Sequence, residues 1–189
     1  MMATRDQNFE GSKPCAAIVL PLIIVALFNL IGATAHAQGG PPAPDATPGA
    51  VGITGIPLGG LEPSAAPGYR LEVVELTWEP GAYATRHFHP TALITCVQHG
   101  ALGVVLEQGT ARVTRGGTAA APGTPEPLVL DTEVILEPRD CITVDALAAH
   151  LEHTGWNASE GTPVLWEARL LDPTQPFTTY VDEQGTPVP

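Results

Sequence analysis

Pro80-Gly81-Ala82-Tyr83-Ala84-Thr85-Arg86-His87-Phe88-His89-Pro90 is the stretch on which the reading of this chain turns. Side chains alternate along an extended strand with period two, so His87 and His89 share one face of any strand that holds both. Two neighbouring imidazoles on rigid backbone can chelate one divalent metal. The same pair without further ligands is two polar residues on a half-buried strand. On either side of this stretch, apolar and β-branched runs of strand length recur between Gly, Pro and Asp. They are Leu71 to Trp78, Leu93 to Val97, Ala101 to Leu106, Ala111 to Thr114, Leu128 to Leu136, Cys141 to Val144 and Val164 to Leu171. Such spacing predicts an all-β sandwich or barrel. Ala146 to Leu151 has helix-forming composition but is too short to stand as a helix, and Gly116 to Pro127 reads as a loop.

Composition narrows the class further. The 189 residues suffice for one domain with accessory segments, and 20 Gly with 20 Pro and only 5% aromatics argue against a helical bundle or coiled coil. The net charge of −12 argues against a nucleic-acid binder and disfavours anionic membrane surfaces, since both partners require a basic face. Ala16 to Ile31 is an uncharged run too short for a comfortable membrane span, and Ala35-His36-Ala37 follows it with a small-x-small cleavage pattern. Residues 1–37 therefore read as a signal peptide, the alternative being an uncleaved anchor over residues 16–35. Secretion or periplasmic export is the expected localisation, with no membrane contact after cleavage.

From Gly39 to Gly68 there are 8 Gly and 7 Pro, which predicts a flexible Gly/Pro-rich linker over 38–68, a globular domain over 69–175 and a tail over 176–189. Cys96 and Cys141 are expected as two separate buried thiols, with one disulfide as the alternative that an oxidising compartment permits.

The same residues carry a resemblance. Gly81, five residues, His87-x-His89 and Gly100 eleven positions later resemble the first motif of the cupin superfamily. Arg139-Asp140 stands where the second motif begins, and His153-Thr154-Gly155-Trp156-Asn157 is similar to its His-x3-Asn ending. The resemblance covers about residues 60–175 and implies a small single-domain, double-sheet jelly-roll barrel. It also implies a third histidine ligand beside His87 and His89. His150 keeps the usual distance from Asp140 and His153 keeps the Asn, which favours His153. Three residues apart, they point to opposite faces of a regular strand, so only one enters the barrel. If that one were His150, Glu152 would share its face.

Leu93 departs from the pattern, because the family's metal-binding Glu belongs there. The resemblance then implies a three-histidine site for a divalent metal, with Fe, Zn, Mn, Cu and Ni all open, or an apolar pocket that has lost the metal. His99 is expected to be exposed, Asp140 to shape a turn, and Trp78, Trp156 and Trp166 to line or pack the barrel. The functional expectation is a small molecule bound beside the metal by an oxygenase or isomerase. The alternatives are a non-catalytic binding or sensing barrel, or a structural exported domain. Open strand edges suggest a homodimer.

Overall fold

The computed structural model describes residues 39–188 except 45, 119 and 146–149. Among them every regular element is a strand: β1 (Ala50–Leu61), β2 (Arg70–Phe88), β3 (Ala92–His99), β4 (Leu102–Gln108), β5 (Ala111–Thr114), β6 (Pro125–Pro127), β7 (Glu133–Leu136), β8 (Cys141–Asp145), β9 (Glu152–Asn157), β10 (Val164–Leu171) and β11 (Thr179–Tyr180). They pair antiparallel in the order β6-β5-β8-β3-β10-β2-β9-β4-β7, with β1 and β11 also on β2. The expected all-β barrel is the observed architecture. The expected signal peptide, the anchor alternative over residues 16–35 and most of the short helical stretch lie outside the described residues.

The sheet can curl on itself because β2 serves both of its sides. The first half of β2 pairs with β10, and its second half pairs with β9. Between them the strand bends at Pro80-Gly81, where Gly81 has φ of 77°, a conformation that a Cβ would strain. Alternation along each strand then sends one set of side chains inward. Val97, Leu136 and Leu165 from three different strands are fully enclosed in the resulting core.

Two polar residues brace the corners. Asp140 accepts from Gly116 N at 2.7 Å, Arg115 Nη1 at 2.8 Å and Glu137 N at 3.1 Å, holding the turn into β8 as expected. Asn157 Nδ2 donates to the carbonyls of Glu79 and Gly161 at 2.8 Å, and its Oδ1 accepts from Ser159 N at 2.8 Å, tying the end of β9 to the bend of β2. The Asn of the His-x3-Asn ending is thus a brace.

Several expectations need correction. The stretch expected as a linker contains β1, a 12-residue strand paired along β2. Its Pro57 and glycines are tolerated because β1 pairs on one side only, and an edge strand can lack a donor. The expected tail also folds back, since β11 pairs with the end of β2 and Val181 is buried. The run from Leu128 begins as a strand only at Glu133, after a turn in which Asp131 has φ of 54°. The expected loop contains the short β6, and β9 was absent from the predicted runs.

Cys96 and Cys141 form a disulfide rather than two free thiols. They stand directly opposite each other on β3 and β8, a register that neither run displays by itself. A cross-link spanning a sequence separation of 45 stabilises by about 4 kcal/mol on the chain-entropy model. Trp156 packs over Gly103, where a Cβ would sit 2.1 Å from the indole. Trp78 faces the barrel interior, whereas Trp166 is outward and half exposed, because Leu165 and Glu167 on either side of it point in.

Candidate metal centre

His87 lies near the end of β2, and His89 one residue beyond it. His153 stands opposite His87 in the β2–β9 register. Each of the three rings offers one nitrogen, and these nitrogens lie within 4.8 Å of one another. The structure therefore brings together His87, His89 and His153. His150 stays outside, on the segment leading into β9, where its exposed ring lies 2.9 Å from Glu152. His99 is the last residue of β3 and is exposed, as expected. Glu152 is buried, but Arg86 holds its carboxylate at 2.6 Å on the face of β9 away from His153, so it does not stand in for the missing acid.

The hydrogen bonds define which nitrogens are available. His87 Nδ1 lies 2.6 Å from the Thr85 carbonyl, and His89 Nδ1 lies 3.0 Å from the Phe177 carbonyl. A carbonyl only accepts, so each Nδ1 carries the proton and each Nε2 of the neutral ring is a bare lone pair. Those two Nε2 atoms face each other at 3.1 Å. Two lone pairs at that distance repel unless a cation or a proton lies between them.

Protonation is opposed. Burial pulls His87 down to about 4, with the Thr85 carbonyl only partly offsetting it. Burial also lowers His89 and His153 well below 6.5, helped by the neighbouring imidazoles. His153 Nδ1 is enclosed and has no hydrogen-bond partner. Neutral imidazoles whose tautomers are set by backbone carbonyls are the donor set and outer support that a divalent metal requires, so these residues fit such an ion.

A cavity of about 150 Å³ adjoins the three rings, lined chiefly by apolar side chains from β2, β3, β4, β8 and β10. Leu93 is among them and is almost fully buried, so the position of the missing carboxylate does face the site. Sequence reasoning missed two contributors. One is the returning C-terminal segment, where Phe177 stacks on His89 at 4.4 Å between centroids and Arg169 lies 4.1 Å over the Phe177 ring. The other is Glu167 on β10, buried in the cavity wall and accepting from Thr95 Oγ1 at 2.9 Å. Burial raises its pKa, against Thr95 and Arg169, which lower it. The alternation of β10, with a charged residue at an inward position, was the available signal.

The His-x-His pair at the end of β2 and the His-x3-Asn ending on β9 meet across one register pair inside the curled antiparallel sheet. This arrangement resembles a cupin jelly roll. No family model matches the chain, and no curated protein sequence matches it. Among solved structures it is similar to a cupin 2 domain-containing protein from Halorhodospira halophila, at 21% identity and a TM-score of 0.43, over 71% of this chain and 73% of that one. It is also similar to KdgF from Halomonas sp., at 18% identity and a TM-score of 0.41, over 62% of this chain and 80% of that one. A third similar structure is salicylate 1,2-dioxygenase from Pseudoaminobacter salicylatoxidans, at 14% identity and a TM-score of 0.39, over 65% of this chain and 26% of that one. The likeness to cupins lies in where the two motifs meet in the barrel.

Proposed function

We propose that this protein is an exported metal-binding cupin that takes a small molecule into the barrel beside a divalent ion held by His87, His89 and His153. The observation that carries the reading is the pair of opposed Nε2 lone pairs at 3.1 Å, each backed by a carbonyl on its Nδ1. Such an ion would supply Lewis-acid polarisation, or redox chemistry if it is iron or copper. The protein's own part is to hold the three rings neutral and oriented, to exclude water with the apolar wall and to admit one compact molecule. Leu93 favours a second reading, a barrel that binds without turnover, because it places a leucine where an acid could have worked on a substrate.

Metal analysis of the purified protein tests the proposal. We expect one equivalent of zinc or another first-row metal. His87→Ala, His89→Ala and His153→Ala should each lose it, while His99→Ala and His150→Ala should retain it. Wild-type protein that takes up none of several divalent metals, or His87→Ala that binds as well as wild type, would overturn the reading.

Export is supported by the short uncharged run before Ala35-His36-Ala37 and by the Cys96–Cys141 disulfide, which suits an oxidising compartment. Mass spectrometry of exported material should find a chain starting near Gln38. A full-length species retained in the membrane would count against it. Pairing of two copies belongs to the same proposal, supported by the exposed Ile94, Trp166, Val73 and Leu71 on the outer sheet face.

A further inference from the structure

Two polar features of the barrel interior have no role in holding an ion. Glu167 is buried in the cavity wall. Its Oε2 accepts from Thr95 Oγ1 at 2.9 Å, but Arg169 Nη1 reaches its Oε1 only at 3.4 Å, because the same guanidinium is drawn to Glu72 at 2.6 Å through Nε. Oε1 therefore keeps capacity to accept a stronger hydrogen bond. The second feature is Trp78, which lines the same cavity and whose buried Nε1 donor has no hydrogen-bond partner. A buried donor left unpaired is costly, and such groups commonly mark the place of a water or a ligand.

The remaining wall excludes alternatives. None of the described residues lining the cavity is Lys or Arg, and Glu167 is the one acid among them. In the metal-free barrel, an anionic ligand would have to bury its charge beside a carboxyl group with no cation among the lining residues. The volume, about 150 Å³, is that of an apolar cavity which accepts a benzene-sized molecule.

We propose that the metal-free cavity selects a neutral molecule of about the size of one six-membered ring that carries a hydroxyl group donating to Glu167. This rests on the reading of the barrel interior as the binding site, but not on the metal. Glu167 is thereby the specificity-determining residue of a site whose usual acid position is occupied by Leu93. The hydroxyl fits because it can donate to Glu167 Oε1, whereas a hydrocarbon of the same size leaves that oxygen with only the long Arg169 contact.

The test uses the full chain, stripped of metal, and three probes of similar size, phenol, benzene and benzoate, with binding followed by ligand-observed NMR titration. Phenol should bind about tenfold or more tightly than benzene, the scale of one hydrogen bond to a charged group, and benzoate should not bind measurably. Glu167→Leu should lose the preference for phenol over benzene, and retained benzene binding would report an intact barrel. Equal binding of phenol and benzene by the wild type, tighter binding of benzoate, an undiminished preference in Glu167→Leu, or no binding of any probe would each overturn the proposal.

Zinc uptake measured on the same preparations separates the two readings. Zinc binding without phenol selectivity defeats only this one, and phenol selectivity without zinc binding defeats only the metal site.

Discussion

Leu93 decides how far this barrel departs from the acid-bearing form of its motif. It is almost fully buried, lines the cavity with the three histidines, and pairs in register with Arg169 of β10. A carboxylate placed there would face the ring nitrogens but would lose its solvation in the metal-free protein. We therefore expect Leu93→Glu to tighten metal binding by about tenfold or more, and to lower the stability of the metal-free protein by roughly 2 to 4 kcal/mol. Competition titration against a chromophoric chelator reads the first effect, and urea unfolding with and without metal reads the second. Unchanged affinity would mean that residue 93 does not reach the ion. His-x-His was legible at this scale because period-two alternation is local. Glu167 was not, since only its neighbours across the sheet make it part of the cavity.

At the scale of elements, the surprise is the C-terminal segment. Composition left residues 176–189 as a tail, yet the Phe177 carbonyl accepts from His89, the Phe177 ring stacks on that imidazole, and β11 pairs beside His87. A chain shortened to residue 175 should therefore bind metal about 10- to 100-fold more weakly, the usual effect of losing an outer support of a ligand. It should also lose thermal stability as Val181 leaves the core. Isothermal titration with zinc and a melting curve measure both, and a truncated chain matching the full one in affinity would show that the segment is merely draped over the site. The strand β1 teaches the same lesson in reverse. Gly and Pro lower intrinsic strand preference, but the long free edge of β2 offered hydrogen bonds that outweighed it.

For the whole molecule, the histidine cluster couples stability to pH. In the unfolded chain each imidazole titrates near its ordinary 6.5, whereas in the fold His87 is held at about 4, and His89 and His153 lie well below 6.5 as well. Above pH 6.5 both states are neutral and nothing is lost. As pH falls from 6.5 toward 4, the unfolded chain takes up protons that the fold refuses, so stability drops by about 1.4 kcal/mol per pH unit for each such group. Glu107 and Glu167, raised by burial, act in the opposite sense near the carboxylate range, where the fold holds a proton that the unfolded chain has released.

Three depressed imidazoles outnumber the two raised carboxyl groups. Metal-free protein should accordingly be nearly constant in stability from pH 8 to 7 and lose at least about 2 kcal/mol between pH 6.5 and 5. Denaturant midpoints at those pH values check this, and a flat profile would mean that the rings are open to water.

From the sequence alone came the all-β class, the strands with clean alternation, the Asp140 turn, and the face shared by His87 and His89, because each depends on residues a few positions apart. The choice of His153 over His150 was already favoured by its spacing to Asn157, but the register with β2 was needed to decide it. The disulfide, the burial of Glu167 in the cavity wall and the return of the C-terminal segment over His89 were decided only by tertiary structure. Each requires a pairing between strands far apart in the chain, and composition or periodicity along one segment carries no information about which partner will lie across from it.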